Sequence, residues 1–175
     1  MRENKDLRLF FALWPDERVR EQIAACLCSF TAESGRIVPD YNWHMTLHFI
    51  GNTTFHEKSC LHRQARKLRA EPFDLFIDQT GFFRKPNVFW LGCDNPPKAL
   101  FDLQKDLGKQ ISHCEYNPEN RAYSPHITVA RKVTAKPALG LNAKIPWHVD
   151  KFVLIESVSE PGGVRYRVLE EYLLH

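Results

Sequence analysis

Two tripeptides of the form His-x-Thr contain the residue types in this sequence that are best suited to chemistry. They are His44-Met45-Thr46 and His126-Ile127-Thr128, and each is followed by an apolar residue. In a β-strand, residues two apart point to the same face and lie about 6.6 Å from each other. Each tripeptide therefore predicts an imidazole and a hydroxyl side by side on one strand face.

The chemistry that two such faces support is acid–base catalysis on an anion. An imidazole titrates near neutral pH, so one histidine can accept a proton while the other donates one. The threonine hydroxyls can donate hydrogen bonds to anionic oxygens. This combination favours phosphoryl chemistry without a metal ion, with a cyclic phosphodiester as the preferred anion.

The separation of the two tripeptides predicts how the chain is organised. His44 and His126 are 82 residues apart in a chain of 175, which is close to half its length. A short pattern repeated at half the chain length is typical of duplication. A lone His-x-Thr is usually an ordinary surface feature, but two copies predict two related lobes that share one cleft. We therefore expect residues 1–175 to form a single bilobal catalytic domain in which neither lobe is active alone.

Hydrophobic periodicity predicts strands and helices that could position these residues. Leu7–Leu13 is a continuous apolar run and predicts a buried strand, whereas the pattern of Asp16–Phe30 predicts a helix. Around the tripeptides, alternation predicts the strands Trp43–Gly51 and Ser124–Arg131, each with one polar face. Further strands are predicted at Phe73–Gly81, Val88–Gly92, Trp147–Ser157 and Val164–Leu173, and further helices at His56–Ala70 and Pro97–His113. The fold class is α+β, with about seven strands in antiparallel sheets that face a central cleft and three helices on the outside.

Composition excludes several classes of protein. The chain has 43% hydrophobic and 26% charged residues and a formal net charge of +3, so it can form a core and carries no strongly basic coat. We expect no membrane association, because the sequence has no long apolar span and no secretory signal pattern, and we expect a cytoplasmic monomer. The five cysteines show no CxxC pair, which predicts reduced buried thiols and neither a disulfide framework nor a zinc site.

Several other residues have two interpretations. Alternation places His48 on the same face as His44, about 13 Å away along the strand, where it is either part of the rim or core or a substrate contact. The segment His56–Ala70 is basic and is either a solvated helix face or a patch for an RNA backbone. Aromatic side chains are mostly expected in the core, although one at the cleft mouth could stack on a base; these are Phe11, Trp14, Trp43 and Phe83.

The two tripeptides in their sequence context resemble a known family. The paired motifs HMTL and HITV are similar to those of the 2H phosphoesterase superfamily, and in particular of its bacterial RNA 2′,3′-cyclic phosphodiesterase branch, historically called 2′-5′ RNA ligase. The segments RLFFAL-WP, NWHMTLHFIG, VFWLG, SPHITVAR and RYRVLEEY also match, so the resemblance covers nearly the whole chain.

The resemblance implies a role for each matching residue. His44 would be the proton donor to the leaving oxygen, and His126 the proton acceptor that activates water. Thr46 and Thr128 would bind phosphate oxygens, and Arg131 would face the phosphate. Simple alternation puts Arg131 on the opposite face, so a bulge or a strand end must turn it inward. No metal ion or cofactor is expected.

The expected reaction is the hydrolysis of 2′,3′-cyclic phosphates, at RNA 3′ ends or on free cyclic nucleotides, to 2′-phosphomonoesters, with joining of RNA ends through a 2′-5′ bond in some members. Two other hypotheses remain open. The chain could be a module that binds RNA ends or 2′-phosphates without turnover. It could also act on another phosphodiester, such as a 2′-5′ oligoadenylate or a cyclic ADP-ribose phosphate.

Overall fold

Strands and helices alternate along the chain in the computed structural model, which describes residues 7–30, 35–141 and 143–175. The described residues form ten strands and three α-helices. The strands are β1 (Leu7–Leu13), β2 (Arg36–Ile37), β3 (Met45–Thr53), β4 (Phe73–Ile77), β5 (Gln79–Phe83), β6 (Val88–Gly92), β7 (Ile127–Arg131), β8 (Ile145–Val149), β9 (Lys151–Glu160) and β10 (Gly163–Leu173). The helices are α1 (Glu17–Leu27), α2 (Phe55–Ala65) and α3 (Lys98–Ile111).

One antiparallel sheet runs through the molecule in the order β10-β9-β1-β3-β7-β6-β5, and β2 pairs with β7. Its two halves meet where Met45 of β3 pairs with Ile127 of β7. Strands β4 and β8 form a separate two-stranded sheet. The α+β fold class expected from the sequence is therefore confirmed.

The strand count exceeds the expected seven because two predicted strands each divide between the two sheets. The segment Phe73–Gly81 breaks at Asp78 into β4 and β5, and Trp147–Ser157 breaks at Asp150 into β8 and β9. Aspartate is disfavoured in strands, but apolar residues stand on both sides of each break. The two-residue β2 is too short to show any periodicity.

Helices α1 and α2 begin at side-chain caps, whereas α3 follows Pro97 without one. Asp16 caps α1 by accepting a hydrogen bond from the amide of Val19 at 2.8 Å. Thr54 and Glu57 form a reciprocal capping box at the start of α2, and α2 ends at Ala65, earlier than expected. Helix α3 buries the predicted stripe of Leu100, Leu103, Leu107 and Ile111.

The helices and the main hydrophobic core lie on one face of the large sheet. The core joins residues of all three helices to inward residues of the strands such as Phe11, and it includes Trp43 just before β3; these two are 0% and 4% exposed. A smaller cluster around Phe10 and Val153 lies on the opposite face. No helix in the described part of the chain is long and apolar enough to cross a membrane.

Two cysteines contradict the prediction of reduced thiols. Cys60 of α2 and Cys114, in the short 3-10 turn after α3, form a disulfide with a Cα–Cα distance of 5.8 Å. Cys26, Cys28 and Cys93 are free. The bonded pair is separated by 54 residues and gives no spacing signal, because it is the packing of α2 against α3 that brings the two sulfurs together.

Candidate active site

A β-bulge in β3 determines which side chains of the first motif face the cleft. Phe11 of β1 pairs with His48, but the next residue, Ala12, pairs with Thr46, so Leu47 has no partner in the register. Leu47 and His48 are consequently both buried, and Phe49 is turned outward with 43% exposure. A bulge changes the face on which later residues point.

The same bulge occurs at the equivalent position of the second motif. Phe89 pairs with Ala130 and Trp90 pairs with Thr128, which leaves Val129 out of the register. Val129 and Ala130 are both buried, whereas Arg131 is exposed and lines the cleft. The predicted inward turn of Arg131 is therefore present. With the 82-residue offset, Arg131 occupies the position that Phe49 holds in β3.

Both histidines are oriented by the same backbone hydrogen bond. Nδ1 of His44 lies 2.7 Å from the carbonyl oxygen of Asn42, and Nδ1 of His126 lies 2.8 Å from that of Ser124. A carbonyl oxygen only accepts, so Nδ1 carries the hydrogen on each ring. Nε2 of each ring is then left for chemistry. In His44 this atom is 3.1 Å from Oγ1 of Thr46.

The predicted site residues line two adjoining cavities. A cleft of about 740 Å³ is lined by His44, Thr46, Thr128 and Arg131, together with Phe49. His126 lines a second cavity of about 300 Å³. Thr46 and Phe49 border both cavities, so the two spaces meet at the first motif. The structure thus brings all five predicted residues to one connected site.

Aromatic rings surround the first histidine and depress its pKa. Phe10 and Tyr166 lie 4.9 and 5.0 Å from the His44 ring, and Trp14 is stacked on it at 6.3 Å. This burial is the main cause that lowers the pKa of His44 to about 4. The charges of Arg131 and His126 lower it further, whereas the hydrogen bond to Asn42 opposes the shift.

The second histidine has a similar but more open environment. Phe83 packs edge-on against His126 at 5.0 Å, and Trp90 lies at 6.2 Å. Burial lowers the pKa of His126, and the charges of Arg131 and Arg121 act in the same direction. In both rings the shift favours the neutral imidazole. Phe83 and Trp14, unlike Phe11 and Trp43, contact the histidines of the site.

His48 does not lie on the face that alternation predicted. The bulge turns it into the core, where it is 5% exposed. Its Nε2 donates a hydrogen bond of 2.6 Å to the Gln104 carbonyl of α3, and its ring packs edge-on against Tyr116 at 5.8 Å. The placement on the His44 face was wrong, and His48 is a largely buried residue at the wall of the second cavity, which agrees with the interpretation as rim or core.

Three residues that support the site were missed by the sequence analysis. The buried side chain of Asn42 bonds to β10, and Tyr123 donates a hydrogen bond of 3.0 Å to the carbonyl of Thr46. Arg36 lines the cleft from β2. For Asn42, the signal available in the sequence was its place two residues before His44. The contacts of Arg36 and Tyr123 depend on long-range pairing that local sequence does not show.

Potential metal ligands do not cluster in the described part of the chain. Within residues 7–30, 35–141 and 143–175, no group of three or more His, Cys, Asp or Glu side chains could hold a metal ion. The site presents imidazoles, hydroxyls and guanidinium groups, which suit an anionic ligand.

An antiparallel sheet that presents two His-x-Thr motifs to one cleft defines a 2H phosphoesterase. The chain belongs to the 2′-5′ RNA ligase superfamily, whose family model matches residues 15–160. It is an enzyme of the RNA 2′,3′-cyclic phosphodiesterase type, a cyclic phosphodiester hydrolase.

Relatives and solved structures agree over almost the full length. The RNA 2′,3′-cyclic phosphodiesterase of Escherichia coli K12 is 33% identical over 171 residues, with 95% of this chain and 96% of that protein covered. The protein of the same name from Thermotoga maritima is 29% identical, with 94% of each chain covered. The crystal structure of E. coli LigT complexed with 3′-AMP has a TM-score of 0.87 at 32% identity and covers 97% of this chain and 98% of its own.

Proposed function

We propose that this enzyme opens 2′,3′-cyclic phosphates at RNA 3′ ends, and on free cyclic nucleotides, to 2′-phosphomonoesters by paired histidine acid–base catalysis. The observation that carries the proposal is the matched orientation of His44 and His126. Each ring donates Nδ1–H to the carbonyl two residues before it and leaves Nε2 for the substrate. The relative LigT in complex with 3′-AMP supports a nucleotide phosphate as the ligand.

The reaction is an in-line displacement at phosphorus. Nε2 of His126 accepts a proton from water as the water oxygen bonds to phosphorus. The bond from phosphorus to the 3′ oxygen breaks, and Nε2–H of His44 donates its proton to that oxygen. Thr46, Thr128 and Arg131 hold the non-bridging oxygens, where negative charge develops. Exchange with solvent returns the proton to His44 and removes one from His126. A 5′-hydroxyl of RNA in place of water gives 2′-5′ joining.

The lowered pKa of His126 suits its role as proton acceptor in the free enzyme. The lowered pKa of His44 suits its role as proton donor only after substrate has bound. A lowered pKa keeps His126 neutral and ready to accept a proton. His44 must carry a proton to donate it, and burial with the nearby Arg131 charge opposes this in the free enzyme. A phosphodiester anion beside Arg131 offsets that positive charge and raises the pKa of His44, so substrate binding favours the protonated donor.

The decisive experiment is incubation with adenosine 2′,3′-cyclic phosphate and with an oligoribonucleotide that ends in a cyclic phosphate. The expected product is a 2′-phosphate, formed equally well in EDTA, with a bell-shaped dependence of kcat/KM on pH. His44→Ala and His126→Ala should each lower kcat/KM by roughly 10²–10⁴-fold. His56→Ala, an exposed histidine on α2, is the matched control and should keep full activity.

Each alternative has its own outcome in this experiment. Full activity in both motif variants would refute acid–base catalysis by the two histidines. A 3′-phosphate product would make the 2′ oxygen the leaving group. Binding of RNA ends without cleavage at any pH would favour the binding module, and cleavage of a 2′-5′ oligoadenylate alone would change the substrate class.

A further inference from the structure

Arg131 has a second arginine as its cross-strand neighbour. Strand β2 pairs antiparallel with the end of β7, and Arg36 lies directly opposite Arg131. Opposed residues in an antiparallel pair project from the same face of the sheet, and like charges in that position destabilise the pair. Both side chains line the cleft that also contains His44 and Thr128. Phosphate groups bound at these two guanidinium groups would offset this repulsion.

The positive charges of Arg36 and Arg131 are accessible to a ligand. Among the ion pairs of the described ranges, none involves Arg36 or Arg131. Both side chains are exposed. Glu160, the carboxylate that lines the same cleft, pairs with Arg167 at 3.3 Å. The cleft therefore presents two neighbouring positive groups to solvent.

The proposed hydrolysis of a cyclic phosphate requires only one of these two guanidinium groups, that of Arg131. Arg131 lies beside the motif residues, and its charge affects the pKa of both histidines. Arg36 lies on the neighbouring strand β2, outside the two motifs. The cleft of about 740 Å³ is also large within the range of about 300–1,000 Å³ typical of ligand sites. Space and charge therefore extend beyond the cyclic phosphate.

We propose that Arg36 binds the phosphate on the 5′ side of the terminal nucleoside while Arg131 binds the cyclic phosphate. This inference rests on the proposed function and makes Arg36 a specificity-determining residue. Arg36 and Arg131 lie opposite each other at the wall of one cleft, so each guanidinium group can bind one of two phosphates joined through one nucleoside. The planar fork of arginine pairs with phosphate oxygens through two hydrogen bonds. Arg8, held over Phe49 at 5.2 Å, adds positive charge to the same cleft.

Three substrates distinguish recognition of the 5′-side phosphate from recognition of the rest of an RNA chain. The first is adenosine 2′,3′-cyclic phosphate, the second is the same nucleotide with a 5′-phosphate, and the third is the dinucleotide ApA with a cyclic phosphate end. We expect Arg36→Gln to lower kcat/KM by about tenfold for the second and third substrates, through the loss of one charge-assisted phosphate contact. The effect on the first should be less than about threefold. Arg18→Gln, an exposed arginine of α1, is the matched control.

Salt dependence gives a second measure of the same contact. For the dinucleotide, the slope of log kcat/KM against log salt should become shallower in Arg36→Gln than in the wild type, because one charged contact to a phosphate is lost. Arg36→Lys keeps the charge without the fork and should keep the steeper slope. An equal loss on all three substrates, or no loss on any, would overturn the proposal. A loss confined to the dinucleotide would also overturn it, because Arg36 would then contact the second nucleoside.

Binding measurements keep this proposal separate from the proposed function. By calorimetry, adenosine 2′,5′-bisphosphate should bind the wild-type enzyme about tenfold more tightly than adenosine 2′-phosphate. Arg36→Gln should remove most of that difference, and an unchanged difference would refute the Arg36 site. A wild-type enzyme that hydrolyses none of the three substrates would refute the proposed function, and the calorimetric comparison would still decide whether Arg36 binds the phosphate.

Discussion

Asn42 holds His44 by a hydrogen bond of 2.7 Å from Nδ1–H of the imidazole to its main-chain carbonyl. The Asn42 side chain is 4% exposed, donates to the Val164 carbonyl at 2.7 Å and accepts from the Tyr166 amide at 3.0 Å. Asn42 thereby ties the first motif to β10, whose Tyr166 ring packs edge-on against His44. Its equivalent before the second histidine is Ser124, which is exposed.

Asn42→Ala should therefore impair both stability and catalysis. The change leaves a carbonyl and an amide of β10 without their partner, which costs about 1–3 kcal/mol of unfolding free energy. Because Asn42 positions His44 but does not contact the phosphate groups, we expect kcat to fall by about tenfold while KM for adenosine 2′,3′-cyclic phosphate changes little. Urea denaturation and steady-state kinetics measure the two effects.

The control for this substitution is Asn52→Ala, at an exposed position of β3. It should change neither the unfolding free energy nor kcat. If Asn42→Ala lowers stability but leaves kcat unchanged, then Asn42 supports the fold and does not position His44.

The two bulges explain both a success and an error of sequence-based prediction. The resemblance required Arg131 to face the phosphate, and this showed that alternation must break in β7. The same break occurs in β3, but nothing in the HMTLHF segment marks it, so alternation put His48 on the wrong face. A period of two is reliable only within an unbroken strand.

Other errors share a long-range cause. The apolar pattern predicted the positions of all three helices and most strands, because burial of one face of an element produces a periodic pattern in the local sequence. Packing between distant segments determines three features that were missed. The chain passes from one sheet to the other at Asp78 and Asp150, β2 pairs with β7, and Cys60 bonds to Cys114. Single-sequence patterns carry no information about those contacts.

Gly108 of α3 gives a test of how closely His48 is packed. A Cβ atom built at Gly108 would lie 2.9 Å from Cε1 of His48, which is too close for an unshifted ring. Alanine normally stabilises a helix by about 0.8–1.0 kcal/mol relative to glycine. Here we expect Gly108→Ala to destabilise the enzyme by about 1–3 kcal/mol, because the buried ring cannot give way.

A double-mutant cycle isolates the contact. In a His48→Ala background the clash is absent, so Gly108→Ala should become neutral or stabilising, and urea denaturation of the four proteins gives the coupling free energy. The same effect of Gly108→Ala in both backgrounds would show that His48 does not limit the space at this position.

The depressed pKa of His44 predicts a specific loss of stability in acid. Its pKa is about 4 in the folded enzyme and about 6.5 in an unfolded chain. Between these values the unfolded state binds more protons, so the unfolding free energy falls as the pH decreases. For this histidine the loss from about pH 7.5 to about pH 5 is about 2 kcal/mol.

Replacement of the ionisable ring should remove this contribution. His44→Gln should lose less stability than the wild type over the same pH interval when unfolding is followed in urea, whereas His56→Gln should behave as the wild type. The lowered pKa of His126 acts in the same direction, so His126→Gln should also lose less. Equal pH dependence in the wild type and His44→Gln would contradict the depressed pKa.

The disulfide predicts that a reducing agent weakens the fold. Cys60 and Cys114 close a loop with a sequence separation of 54 residues. By the chain-entropy estimate, a cross-link over such a loop stabilises the folded state by about 4 kcal/mol. We expect dithiothreitol to lower the unfolding free energy of the wild type by up to about this amount, measured by urea denaturation with and without the reagent.

Two serine variants make this prediction specific. Cys60→Ser should be as unstable as the reduced wild type and insensitive to dithiothreitol, whereas Cys28→Ser, at an exposed free thiol, should respond like the wild type. Thiol titration of the unfolded, unreduced enzyme should find only the free cysteines, Cys26, Cys28 and Cys93. Titration of all five cysteines together with no effect of the reagent would show that the bond does not form, and the α2–α3 contact would then depend on its apolar packing alone.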